Sequence, residues 1–203
     1  MKKRFSLISA FALGMLLSSC GTGSKNILDG PGMVRSPKDI RESCKLSTTF
    51  DKNTAGKVTH INLFTSFAGE EKKQAARIEL MKPVDESFFD GMETLMENDL
   101  DFDGLSDVQV IKGKVGSTLY REGFLWNPDK YSLSKIDGFD RIPNPSPSTQ
   151  GDAILGYCTD DPAEIVLYRY EWKYGHLMLV NEEHQRFNVD PMRGPTDREP
   201  MRR

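Results

Sequence analysis

The sequence predicts an all-β domain of antiparallel hairpins, and three features carry that reading. Short runs rich in Val, Ile, Thr and aromatics recur with apolar residues at alternate positions, as in "KVTHINLFTSF", "DVQVIKG" and "STLYREGFLW". Turn chemistry separates them: Gly116–Ser117, Asn127-Pro128-Asp129 and Tyr174–Gly175 each fall between two such runs. Stretches with helical spacing are few and short.

The first twenty residues are read apart from the domain. "MKKRFSLISAFALGMLLSSC" opens with Lys2, Lys3 and Arg4, then runs thirteen residues from Phe5 to Leu17 without a charge. This is the layout of a secretory signal and is too short for a membrane span. It ends in Leu17-Ser18-Ser19-Cys20, which resembles the bacterial lipobox. That resemblance implies cleavage after Ser19, acylation of Cys20 and a mature chain of 184 residues in the periplasm. Buried acyl chains contribute about 0.8 kcal/mol per CH2, so several on one residue anchor firmly. Gly21 follows where an aspartate would imply inner-membrane retention, so the outer membrane is expected.

Loss of Lys2, Lys3 and Arg4 with the signal takes the formal net charge from −3 to −6. Nothing basic remains to recruit nucleic acid, and an acidic domain suits cationic partners. With Cys20 lipidated, Cys44 and Cys158 are left as an even pair in an oxidising compartment. A disulfide between them is expected, against the alternative of two buried thiols.

Residues 20–41 are rich in Gly, Ser, Pro and charge and read as a lipidated flexible tether, with "SPKDIRESC" a short helix at most. The domain is expected over residues 42–185. "GEEKKQAAR" is either a charged helix or a loop, and "ARIELM" is a further strand. Pro143, Pro145 and Pro147 in "RIPNPSPS" exclude regular structure there. "AEIVLYRYEWKYGHLMLVNEE" is the clearest hairpin, two alternating strands meeting at Tyr174–Gly175. From Arg186 to the end, three prolines, mixed charge and few apolar residues predict a disordered tail over 186–203.

Asn98 to Asp107, "NDLDFDGLSD", sets Asp99, Asp101 and Asp103 at alternate positions, then Gly104, then Asp107. The pattern matches the first nine positions of a D-x-D-x-D-G-x-x-D calcium loop. Three carboxylates converge, Gly104 permits the reversal, the Leu105 carbonyl supplies another oxygen, and Asp107 completes the shell. Position twelve is Val110 rather than a bidentate glutamate, and the flanks are strand-like, so a strand-flanked site is expected. The hard oxygen set selects Ca2+ over zinc or copper. The alternative is an exposed acidic turn.

In order, "DLDFDGLSDVQV", "GSTLY", "FLWNPDKYSLSKID", "IPNPSPSTQGDAILGY" and "YRYEWKYGHLMLV" resemble a family of periplasmic immunity lipoproteins of bacterial-killing type IV secretion systems. That family is similar in turn to the I-type lysozyme inhibitors. The resemblance covers about Lys57 to Val180 and implies a double β-sandwich or propeller-like domain that blocks a lysozyme-like peptidoglycan hydrolase or secreted effector. In the inhibitors a protruding Ser-Gly-x-Tyr loop enters the hydrolase cleft. The matching residues here are Gly116, Ser117 and Tyr120, with Thr118 where the inhibitors carry glycine. The aspartate loop is then expected to hold the base of this neighbouring loop. The alternative is a plain turn at Gly116–Ser117 with Tyr120 in the core.

Two other functions are weighed. His60, His176 and His184 stand without a Cys, Ser or second His at motif spacing, so an enzyme has no support beyond plentiful carboxylates. A calcium-stabilised envelope lipoprotein binding glycan or an assembly partner is the other. Tyr168, Tyr170, Trp172 and Tyr174 alternate along one run and would be its stacking platform if exposed.

Overall fold

The structure, a computed structural model, describes residues 35–159, 161 and 163–187. The signal, Cys20, the expected tether up to residue 34 and the tail beyond residue 187 lie outside the described residues.

The chain enters through α1 (Pro37–Ser43), set off by a capping box in which Ser36 and Asp39 bond each other's backbone. This helix begins inside the expected tether, and Arg41, placed there by the sequence reading, is buried. Three antiparallel sheets follow. The first, in order β1-β2-β3, is formed by β1 (Lys45–Lys52), β2 (Val58–Ser66) and β3 (Lys73–Val84). β3 takes up Lys73 to Arg77, so most of "GEEKKQAAR" is strand, not helix. Its burial pattern shows why: exposed charged residues alternate with Ile78 and Leu80, which face inward on an edge strand.

The second sheet, β4-β5-β6-β7, joins β4 (Leu95–Asn98), β5 (Asp107–Val115), β6 (Thr118–Asn127) and β7 (Ser132–Lys135). The third, β11-β10-β9-β8, holds β8 (Ser146–Pro147), β9 (Ile154–Cys158), β10 (Glu164–Lys173) and β11 (His176–Arg186). The β10–β11 hairpin turns at Tyr174–Gly175 as expected, with both residues at positive φ. "RIPNPSPS" is less irregular than its prolines imply, since Ser146–Pro147 pairs with β9 at the sheet edge, where a proline needs no donor.

The second sheet is central. One core contains Val58, Ile61 and Leu63 of β2, Ile78 and Leu80 of β3, and Val108, Val110 and Phe124 of the central sheet. On the other face, Leu125, Tyr170 and Trp172 pack against a second core of Leu100, Ile136, Phe139, Ile142 and Ile154. Adjacent residues Phe124 and Leu125 thus serve opposite cores, as the two-residue period of a strand requires. The all-β class and a double-sandwich arrangement hold. A third cluster, Ile40, Cys44 and Trp126, packs α1 over one end.

The expected disulfide is absent. Cys44 and Cys158 are both free thiols. Cys44 is buried in the α1 cluster, and burial pushes its thiol up. Cys158 ends β9, with its Sγ 3.6 Å from Thr118 Oγ1. An even cysteine count carries no information about distance, and here Cys44 packs in the α1 cluster while Cys158 lies at the end of β9 against Thr118.

Candidate functional site

The aspartate loop bridges β4 and β5, where Asn98 and Asp107 are opposite partners. Gly104 makes the reversal at φ 87°, and Phe102 also takes positive φ, at 64°. Carboxylate oxygens of Asp99, Asp101 and Asp107 lie within 4.8 Å of one another. Asp103 is not one of these three; its Oδ1 accepts from the Leu105 N–H at 2.8 Å. Leu105 turns its side chain to the α1 cluster. Asp107, 1% exposed, accepts from the N–H groups of Leu100 at 2.8 Å and Trp126 at 2.7 Å, tying the loop to β6. Asp99 Oδ2 accepts from Gly104 N–H at 2.9 Å, while its Oδ1 is buried with no protein partner.

The electrostatics fit a cation. Burial pushes Asp107 up to about 7, and Asp101 is raised by burial and by the charges of Asp103 and Asp99. Carboxylates held this close destabilise one another in their charged form, and a divalent ion reverses that sign. Asp99, Asp101 and Asp107 are therefore the residues that can hold a hard cation, with oxygen donors alone in the set.

Two contacts not read from the sequence fasten this loop. Arg41 of α1, 3% exposed, donates from Nε to the Ser106 carbonyl at 2.5 Å and from Nη2 to Glu97 at 2.6 Å, with its guanidinium 5.4 Å from the Trp126 ring centroid. Trp172 of β10 donates from Nε1 to the Leu100 carbonyl at 2.7 Å. Nothing local in "SPKDIRESC" marks Arg41, because its partners lie 56 and 65 residues away.

The second set of expected residues sits at the other end of the central sheet. β5 and β6 meet in a two-residue turn, Val115 pairing with Thr118, and Gly116 at φ 58° takes the first central position. A glycine at positive φ in that place is the type II′ preference, whose twist matches the flanking strands. Gly116 and Ser117 are exposed. Ser117 Oγ lies 3.1 Å from Thr159 Oγ1. Thr118 is fully buried against Cys158, so the residue that departs from glycine turns inward. Tyr120 is half-buried and forms a bridge with Pro143.

This corrects one expectation: the aspartate loop does not brace the Ser117 turn. Asp107 opens β5 and Val115 closes it, so at strand rise the two sites lie roughly 27 Å apart. Ten residues look close in sequence, but an extended strand carries them to opposite ends.

The aromatic run is not an open platform. Tyr170 and Trp172 pack on the second core, Tyr168 is half-buried, and Tyr174 alone is fully presented, at 98% exposure on its turn. Among the histidines, His60 Nδ1 lies 3.0 Å from Thr59 Oγ1, and His184 stands between Glu164 and Glu182, whose carboxylates raise its pKa. A separate cavity of about 680 Å3 opens beside α1, walled by Phe67, Tyr131, Thr65, Ser66 and Gln74.

No family model and no curated protein matches this chain. Its fold is similar to a solved structure described as a Xanthomonas type IV secretion system related protein, at 15% identity and a TM-score of 0.50. The alignment covers 79% of this chain and 90% of that one. At that identity the likeness is one of fold.

Proposed function

We propose that this chain is a calcium-stabilised lipoprotein, anchored in the periplasm through Cys20, that binds a lysozyme-like peptidoglycan hydrolase and blocks its cleft with the Ser117 turn. The observation that carries it is the turn itself, a small exposed apex on a hairpin whose strands are buried between two cores. A pre-ordered apex loses little conformational freedom on binding, and its hydroxyl suits a groove shaped for sugars and lined by catalytic carboxylates. The fold likeness to a type IV secretion system related protein supports an effector of such a system as the target. The anchor and compartment rest on residues 1–20 alone.

In this reading the chain is an inhibitor and not an enzyme. Calcium would be held by Asp99, Asp101 and Asp107, and its chemistry there is charge compensation that locks the β4–β5 connection. The test is peptidoglycan clearing by a panel of c-, g- and i-type lysozymes and bacterial lysozyme-like effectors, with wild type and Ser117→Ala. Inhibition of one hydrolase that weakens at least tenfold in the variant is the expected result. Inhibition that survives it moves the contact elsewhere.

A second reading has one observation in its favour. The cavity beside α1 combines two aromatic walls with hydroxyl and amide side chains, a lining that suits a glycan. Binding of peptidoglycan fragments with no inhibition of any hydrolase would favour this envelope-binding role.

A further inference from the structure

We infer that the second hydroxyl of the contact surface is that of Thr159, not Tyr120, and that Asn144 is the positioning residue that builds the pair. This rests on the inhibitor reading and assigns its binding surface.

Ser117, in the β5–β6 turn, and Thr159, the residue after β9, place their side-chain oxygens 3.1 Å apart. Two hydroxyls at that separation share one hydrogen bond, which leaves the accepting hydroxyl its own proton for an outside acceptor. The pair thus imitates neighbouring hydroxyls of a sugar and offers a donor to an ionised carboxylate, which can only accept. Those are the two features a glycan-cleaving cleft is built to engage. Tyr120 is set back from the apex: it is half-buried on a strand flank three residues past Ser117, where its backbone pairs with Pro143.

What brings the two sheets together here is the segment Pro143–Asn144. Asn144 donates its N–H to the Leu119 carbonyl at 2.7 Å, and its Oδ1 accepts from the Leu119 N–H at 2.9 Å. Its Nδ2 donates to the Tyr157 carbonyl at 2.9 Å, and the Tyr157 N–H donates to the Pro143 carbonyl at 2.9 Å. One side chain therefore spans from the residue two past Ser117 to the residue two before Thr159. Asn144 does this at φ 45°, a left-handed backbone that Asn tolerates better than other side chains. β9 approaches so closely that a Cβ on Gly156 would lie 2.8 Å from Ile142 Cγ2 and 3.0 Å from the Pro143 carbonyl. The aspartate loop, at the far end of β5, has no part in this assembly.

The test uses the full-length chain against whichever hydrolase the wild type inhibits, with Ser117→Ala, Thr159→Val, Tyr120→Phe and Asn144→Gly. Glycine keeps the left-handed backbone of Asn144 and removes only its side-chain bonds, and Asn144→Asp serves as a second variant that keeps the acceptor. Expected are inhibition constants raised at least tenfold by Ser117→Ala, Thr159→Val and Asn144→Gly, and less than twofold by Tyr120→Phe. Calcium affinity should stay within twofold throughout, while amide exchange at Leu119 and Tyr157 accelerates in Asn144→Gly. Loss with Tyr120→Phe and none with Thr159→Val would overturn the hydroxyl assignment. Unchanged inhibition by Asn144→Gly despite faster exchange would overturn the positioning role. If the wild type inhibits no hydrolase, the inhibitor reading fails, and this surface assignment falls with it.

Discussion

Asp107 shows how much one carboxyl can be asked to do. It receives N–H groups from Leu100 and Trp126 and faces the oxygens of Asp99 and Asp101 while buried. An unfolded aspartate titrates near 3.9, whereas burial pushes this one up to about 7. Between those values the folded chain holds a proton that the unfolded chain has released, so folding is favoured on the acid side. That contribution is lost as pH rises through 7. With chelator present, the melting-temperature difference between wild type and Asp107→Asn should therefore shift against the wild type from about pH 5 to about pH 8. Calcium binding should run the other way, weakening about tenfold per pH unit below 7 as one proton is displaced. Calorimetric titrations at several pH values check this, and a flat affinity would remove Asp107 from the ligand set. Arg41→Met, which cuts two charge-assisted bonds, should cost about 2–4 kcal/mol in denaturant unfolding.

Among the elements, the central hairpin is the most tightly constrained. A Cβ on Gly123 would lie 2.6 Å from Phe139 Cγ, so Gly123→Ala must push the ring out of the second core. A destabilisation of about 1–3 kcal/mol is expected, read from the midpoint of a urea titration. Strands such as β5, β6, β10 and β11 were legible because alternation and turn glycines are local signals. β3 was harder, since the lysines and glutamates of an exposed edge read equally as a helix or a loop. The convergence of Asp99, Asp101 and Asp107 follows from local turn spacing, whereas Asp103, expected among the same ligands, accepts from the Leu105 N–H instead. Asn144 was not. A residue between two prolines announces irregular backbone, but only tertiary contact with Leu119 and Tyr157 reveals what it holds.

At the scale of the whole molecule, what the sequence does not carry is non-local: which sheets stack, that the two thiols stay apart, and how far apart the two sites are. The thiols give a direct check. Because Cys44 and Cys158 are free, a reductant should leave the melting temperature unchanged, and both should react with a thiol reagent once the chain is unfolded. A drop of several degrees on reduction would mean that a bridge of about 2–4 kcal/mol had been present.

The separation of the aspartate loop from the Ser117 turn along β5 also bears on how such a protein can change over time. On the proposed reading, the aspartate loop and the contact surface stand at opposite ends of β5, joined by strands common to both. On that reading, substitutions at positions 117 and 159 would alter the contact surface while leaving the carboxylates of Asp99, Asp101 and Asp107 in place. A lineage of such chains would be expected to diverge at one pole while its acidic pole stays legible.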